Sequence, residues 1–224
     1  GPAGRRVGRF SGRVRGVTLR RLVLVRHGET DFNAEGRMQG HLDSELTELG
    51  VSQVRRAAPA LARFDPVRLI SSDLSRAARS AEEIGLVCGL PVKLDARLRE
   101  THLGDWQGLT PEQVDLDWPG ALATWRSDPT WSPPGGESRV AVAARARPLV
   151  DELDAEFASD PPSTVLLCAH GGLITALSCA LLGLELASWT SLGGMGNANW
   201  VTLQRRSPPG SRWRMTGYNA GVLD

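Results

Sequence analysis

"LVLVRHGETDFN", residues 22–33, opens as an unbroken apolar run and then delivers a cation, an imidazole and a glycine in succession. Leu22 to Val25 have the pattern of a strand buried on both faces, as in parallel sheets covered by helices. "TVLLCAHGG", residues 164–172, repeats the arrangement: an apolar strand, then His170 and two glycines. In open α/β sheets, ligands bind beyond the carboxyl ends of the strands. Two parallel central strands with these endings would therefore bring His27 and His170 to one site.

The rest of the chain supports such a sheet. Strand patterns at 21–25, 67–71, 91–94, 164–169, 199–204 and 212–217 alternate with helical ones, which predicts a three-layer α/β/α fold with a mostly parallel central sheet. A helix is expected over 47–63, broken or kinked at Pro59, and another over 74–87 with Asp73 as its cap. "TPEQ", residues 110–113, has the form of a capping box with proline in the first helical position. Ser138 is placed to cap a long helix, and a last helix runs over 172–183. Residues 104–137 are rich in Pro, Gly and Trp and read as an insertion over one sheet edge and the active site, not a second domain.

Composition sets the outer bounds. The 224 residues, 41% hydrophobic, suffice for one large domain with a substantial core. Seven of the 26 Lys and Arg residues fall in 1–21, which hold no acid, so the remaining 19 face 25 acids. Residues 1–18 are read as a basic extension, disordered or introduced by cloning, and 19–224 as a single domain. A nucleic-acid or membrane arm is not favoured, because aromatic interleaving and hydrophobic periodicity are missing from the extension. No run reaches the roughly 18 apolar residues of a membrane span; Leu173 to Trp189 is interrupted by Thr175, Ser178, Gly183, Glu185 and Ser188. Cys88, Cys168 and Cys179 form no CxxC pair, which points to a reduced, cytoplasmic protein.

At the strand ends, Arg26 offers a guanidinium that can fork two phosphate oxygens. "SSDLSRA", residues 71–77, puts Arg76 on the first turn of a helix that follows a strand, again aimed at the carboxyl edge. With His27, His170 and the Asn33 amide, these make an anion site. An alkoxide leaving from phosphorus needs a proton, and "RLRETHLGDWQG", residues 97–108, supplies Glu100 as donor; a nearby phosphate dianion would favour its acid form. His102 is expected to bond neighbouring backbone and His41 to face solvent. The histidines show no HxxH or HExxH spacing, so no metal or other cofactor is expected. Among the seven tryptophans, packing is the commoner role, with one or two between 104 and 131 near a substrate.

"VRHGETDFN", "SSDLSRA", "LRETHLGDWQG" and "AHGG", in that order, resemble the histidine phosphatase superfamily, phosphoglycerate-mutase-like branch, over about residues 20–220. The resemblance implies that His27 is the nucleophile that becomes phosphohistidine. It further implies that Arg26, Arg76 and His170 bind phosphoryl oxygens, that Asn33 assists, and that Glu100 is the general acid and base. "GRMQGHLDSELTELG", "GGESRV" and "LGGMGNANW" are similar to members acting on a glycosylated phosphoglycerate, in which Gln39 matches a substrate-contacting position. Mutases carry arginine after the glutamate where this chain has Thr101, which favours hydrolysis. The alternatives are a mutase, a broad acid phosphatase and an inactive phosphate-binding scaffold. The expected partner is a small phosphate ester, with neither nucleic acid nor membrane, and the resemblance implies a homodimer.

Overall fold

A computed structural model of the chain describes residues 17–157, 159–205 and 212–222. Six strands form one sheet in the order β3-β2-β4-β1-β5-β6. They are β1 (Val17–Arg26), β2 (Pro66–Ser71), β3 (Val92–Leu94), β4 (Ser159–Ala169), β5 (Trp200–Gln204) and β6 (Arg214–Ala220). β3, β2, β4 and β1 run parallel, and β5 and β6 add an antiparallel margin. The mostly parallel sheet expected from the alternating pattern is thus present, with β1 and β4 at its centre.

Side-chain alternation along the central strands builds the two covering layers. Leu22 and Leu24 of β1, with Val165 and Leu167 of β4, pack under α6 (Arg139–Glu156) and α7 (Gly171–Leu182). Val23, Val25, Leu166 and Cys168 face the other way, under α2 (Glu48–Ala62) and α3 (Ser75–Cys88). All eight side chains are essentially fully buried, and each full-size apolar one contributes about 1.5–3 kcal/mol by leaving water.

Several local expectations need correction. Helix α2 runs through Pro59 unbroken, because Pro59 lies on the exposed face, where the carbonyl deprived of its amide partner can bond water. Asp73 does not cap α3; the cap position is Leu74. Asp73 instead forms an ion pair with Arg99 at 2.6 Å, and Asp43, from a distant loop, accepts from the Ser75 amide at 2.8 Å and its hydroxyl at 2.5 Å. β1 starts at Val17, inside the segment read as an extension; residues 1–16 lie outside the described residues. β4 starts at Ser159 because Pro161 and Pro162, which argue against a central strand, sit where its pairing with β1 is irregular.

The caps at Thr110 and Ser138 form as expected. Between them, α4 (Pro111–Asp117) and α5 (Ala121–Ser127) enclose a small core of their own around Trp106. Trp118, Trp125 and Trp131 surround that fully buried indole at centroid distances of 6.4, 5.9 and 5.5 Å.

Candidate active site

The sheet register sets the site. Arg26 of β1 pairs with Ala169 of β4, so the next residue on each strand, His27 and His170, leaves the sheet at the same level. Their rings stand 5.1 Å apart, edge to face. Both are buried. The Nδ1–H of His27 donates to the Gly28 carbonyl at 2.7 Å, which leaves the Nε2 lone pair free. Gly28 is required there by close packing, because a Cβ would lie 2.3 Å from the Gly50 carbonyl oxygen.

Arg76 enters on the first turn of α3, which follows β2. It is buried, and its Nη1 and Nη2 donate to the carbonyls of Leu42 and Gly40, both at 2.8 Å. Arg26 donates through Nη1 to the Met195 carbonyl. The buried polar atoms without a hydrogen-bond partner include Arg26 Nε, Arg76 Nε and His170 Nδ1. Unpaired buried groups of this kind are costly, and converging donors suit the oxygens of a tetrahedral anion. The other nitrogen of His170, Nε2, shares a hydrogen bond with Ser72 Oγ at 2.8 Å.

Glu100 reaches the start of α7. Its Oε1 accepts from the amides of Thr101 and Leu173 at 2.7 and 3.0 Å, and its Oε2 accepts only from the Gly172 amide, at 3.1 Å. Oε2 therefore retains the capacity to exchange a proton. The second glycine after His170 is explained by this contact: a Cβ on Gly172 would sit 2.6 Å from Glu100 Oε1.

Two amides complete the pocket. Asn33, on the short helix α1 (Asp31–Ala34), has its carbonyl oxygen held by the Thr30 amide and by Asn197 Nδ2. The Gln39 carbonyl oxygen is held by Thr30 and Ser44 hydroxyls at 3.0 and 2.6 Å. Each side chain is thereby fixed with its N–H groups left as donors. His27, Arg26, Arg76, Glu100, Asn33 and Gln39 all line one cavity of about 190 Å3. Trp125 lines it too, which identifies one tryptophan of the insertion as facing the site. A larger cavity, about 610 Å3, lies at the opposite ends of the central strands and contains none of these residues.

The electrostatics follow from burial and from the guanidiniums. His27 is held well below the ordinary histidine range by burial and then by Arg26 and Arg76. His170 is depressed in the same way, by burial first and then by Arg76 and His27. Burial lowers Arg76 to about 10 against the pull of Glu100, so it remains a cation at neutral pH. The result is a neutral, unprotonated imidazole beside two cations.

Sequence reasoning assigned His41 to solvent, which is incorrect: its Nε2–H donates to the Glu100 carbonyl at 2.7 Å. His102 does bond neighbouring backbone, accepting from the Gly104 amide. Arg79, one turn beyond Arg76, pairs with Glu82 and Glu83 on its own helix. Ser72, Asn197 and Asp43 went unnoticed, since a lone polar residue in a loop carries no periodic signal. No group of three or more His, Cys, Asp or Glu side chains is placed to hold a metal ion among the described residues.

Residues 22–220 match the family model of the histidine phosphatase superfamily (branch 1). Glucosyl-3-phosphoglycerate phosphatase of Mycobacterium tuberculosis (strain ATCC 25618 / H37Rv) is 56% identical over 216 residues, spanning 92% of this chain and 97% of that protein. The solved structure of a mycobacterial glucosyl-3-phosphoglycerate phosphatase complexed with VO3 superposes with a TM-score of 0.85 at 57% identity, covering 90% of this chain and all of that one. A complex of such an enzyme with inorganic phosphate gives a TM-score of 0.84 at 55% identity, covering 90% of this chain and 98% of the other.

Proposed function

The chain belongs to the histidine phosphatase superfamily (branch 1), and on that premise we propose that it hydrolyses glucosyl-3-phosphoglycerate to glucosylglycerate and inorganic phosphate, through a phosphohistidine on His27. The observation that carries the chemistry is the tautomer of His27: with Nδ1–H committed to Gly28, Nε2 carries the lone pair, in the field of the Arg26 and Arg76 guanidiniums. In the first step Nε2 attacks phosphorus in line, the bond from phosphorus to the ester oxygen breaks, and protonated Glu100 gives its proton to that oxygen. In the second step the Glu100 carboxylate takes a proton from water, whose oxygen attacks phosphorus. The N–P bond then breaks, returning the electron pair to Nε2. Arg26, Arg76 and the partnerless Nδ1 of His170 stabilise the equatorial oxygens, where charge accumulates. Asn33 and Gln39 supply further donors at the rim.

Hydrolysis is favoured over phosphate shuttling because Thr101, not a cation, follows Glu100, and its hydroxyl is turned back onto Glu100 Oε1 at 3.3 Å. The substrate is carried over from the relatives at 56% identity. Cys168 and Cys179 are unpaired and buried, which supports a reducing, cytoplasmic setting. Leu86 and Val87 of α3 and Leu94 of the edge strand β3 are exposed; they support a homodimer through that edge, to be checked by light scattering.

The test is a phosphate-release panel together with trapping. Glucosyl-3-phosphoglycerate should give a higher kcat/KM than 3-phosphoglycerate, and the reverse preference would end the substrate assignment. Quenching with labelled substrate should leave acid-labile label on His27. His27→Ala should remove turnover by at least about 10³-fold while leaving thermal unfolding cooperative. Turnover retained in that variant rules out the phosphohistidine. Isomerisation without phosphate release would indicate a mutase, and binding without labelling a scaffold.

A further inference from the structure

The cavity at His27 continues outward. Arg26, Glu100 and Trp125 are shared with an adjoining chamber of about 430 Å3, within the roughly 300–1,000 Å3 typical of pockets for small organic ligands. Glu100 is the group that protonates the departing oxygen, so whatever is attached to that oxygen emerges where Glu100 stands, at the wall common to both spaces. Two further guanidiniums line the outer chamber, Arg126 and Arg139. They differ in how they are held. Arg126 is exposed. Arg139 is partly buried, with its guanidinium carbon 5.2 Å from the centroid of the Trp125 ring and both terminal nitrogens within 3.4 Å of the Arg126 carbonyl. Trp125 is itself anchored edge-on against buried Trp106. Neither guanidinium is ion-paired with a carboxylate among the described residues.

A cation clamped on an aromatic face has lost much of its rotamer freedom already, so an anion that binds it spends less on ordering the side chain. With both terminal nitrogens turned to the Arg126 carbonyl on one edge, the other edge of the guanidinium, Nε–H and an outer Nη–H, matches a carboxylate in two-point contact. We infer that Arg139, seated on Trp125, is a specificity-determining residue that receives the carboxylate of the alcohol half of the substrate, so that the enzyme selects phosphate esters of hydroxy acids over those of the corresponding neutral alcohols. The inference rests on the reading of His27 as phosphoryl acceptor and of Glu100 as its acid.

The experiment compares two esters that differ in one group, 3-phosphoglycerate and glycerol 3-phosphate, alongside glucosyl-3-phosphoglycerate. The wild-type enzyme should favour 3-phosphoglycerate over glycerol 3-phosphate by at least tenfold in kcat/KM. Arg139→Met should collapse that ratio toward one, mainly through KM for the acids, and Arg139→Lys should restore part of it. An unchanged ratio in Arg139→Met, or a parallel loss on both esters, overturns the inference. Calorimetric binding of the same two esters to His27→Ala protein, with and without Arg139→Met, needs no turnover. Tighter binding of the acid that vanishes with Arg139→Met supports the role of Arg139 even if the phosphohistidine reading fails, and equal affinities in the presence of Arg139 refute it even if that reading stands.

Discussion

At the scale of the residue, the site depends on a neutral imidazole surrounded by cations. Burial and the two guanidiniums hold His27 in its neutral form, so in the proposed mechanism the nucleophile requires no base to create it. In the proposed mechanism Glu100 has the opposite task, since it must carry a proton and then remove one. Its Oε1 is saturated by amides and its Oε2 is not, which assigns the proton to Oε2. Glu100→Gln keeps the acceptor and removes the acid. It should lower kcat on alkyl phosphates by about 10²–10⁴-fold with little change in KM. The pre-steady-state burst from p-nitrophenyl phosphate, whose phenolate leaves without protonation, should fall much less. Equal losses in the alkyl-ester turnover and the burst would show that Glu100 does not donate a proton.

At the scale of the element, Arg76 is aimed by α3 and steadied by the loop before α2, whose Gly40 and Leu42 carbonyls hold its guanidinium. The same loop supplies Asp43 to the first amide of α3. Asp43→Ala should therefore cost about 1 kcal/mol of stability, as lost helix caps do. It should also weaken inhibition by inorganic phosphate severalfold; unaltered phosphate inhibition would separate the cap from the site. This coupling was invisible in the sequence. His27, His170, Arg76 and Glu100 were legible because each terminates or follows an apolar pattern, and pattern is what sequence reasoning reads. Asp43, Ser72, Asn197 and His41 act across long separations through one or two hydrogen bonds each, and nothing local marks them. Asp73 and Pro59 failed for a different reason. Local rules rank a residue by what it can do for its own helix, whereas Arg99 claimed the first and solvent excused the second.

At the scale of the molecule, two buried neutral histidines impose a pH dependence on folding. In the unfolded chain both take protons near pH 6.5, while in the folded protein both do so well below it. Between those limits the unfolded state binds more protons, so stability is fully present above pH 6.5 and falls as the pH drops. The slope is about 1.4 kcal/mol per pH unit for each histidine. Urea midpoints measured between pH 7.5 and 5.5 should decline accordingly, and His27→Asn should roughly halve the decline; a flat profile in the parent protein would contradict the burial of these rings. The pairing of Arg26 with Ala169 has one more consequence. Because both imidazoles step off neighbouring strands at one rung of the ladder, the gap between them is gauged by main-chain spacing, which is about 4.8 Å in any sheet. The gap between the two rings thus keeps its dimensions however the segment that carries Trp125 is rebuilt, and that segment is free to diverge while the spacing beside it stays constant.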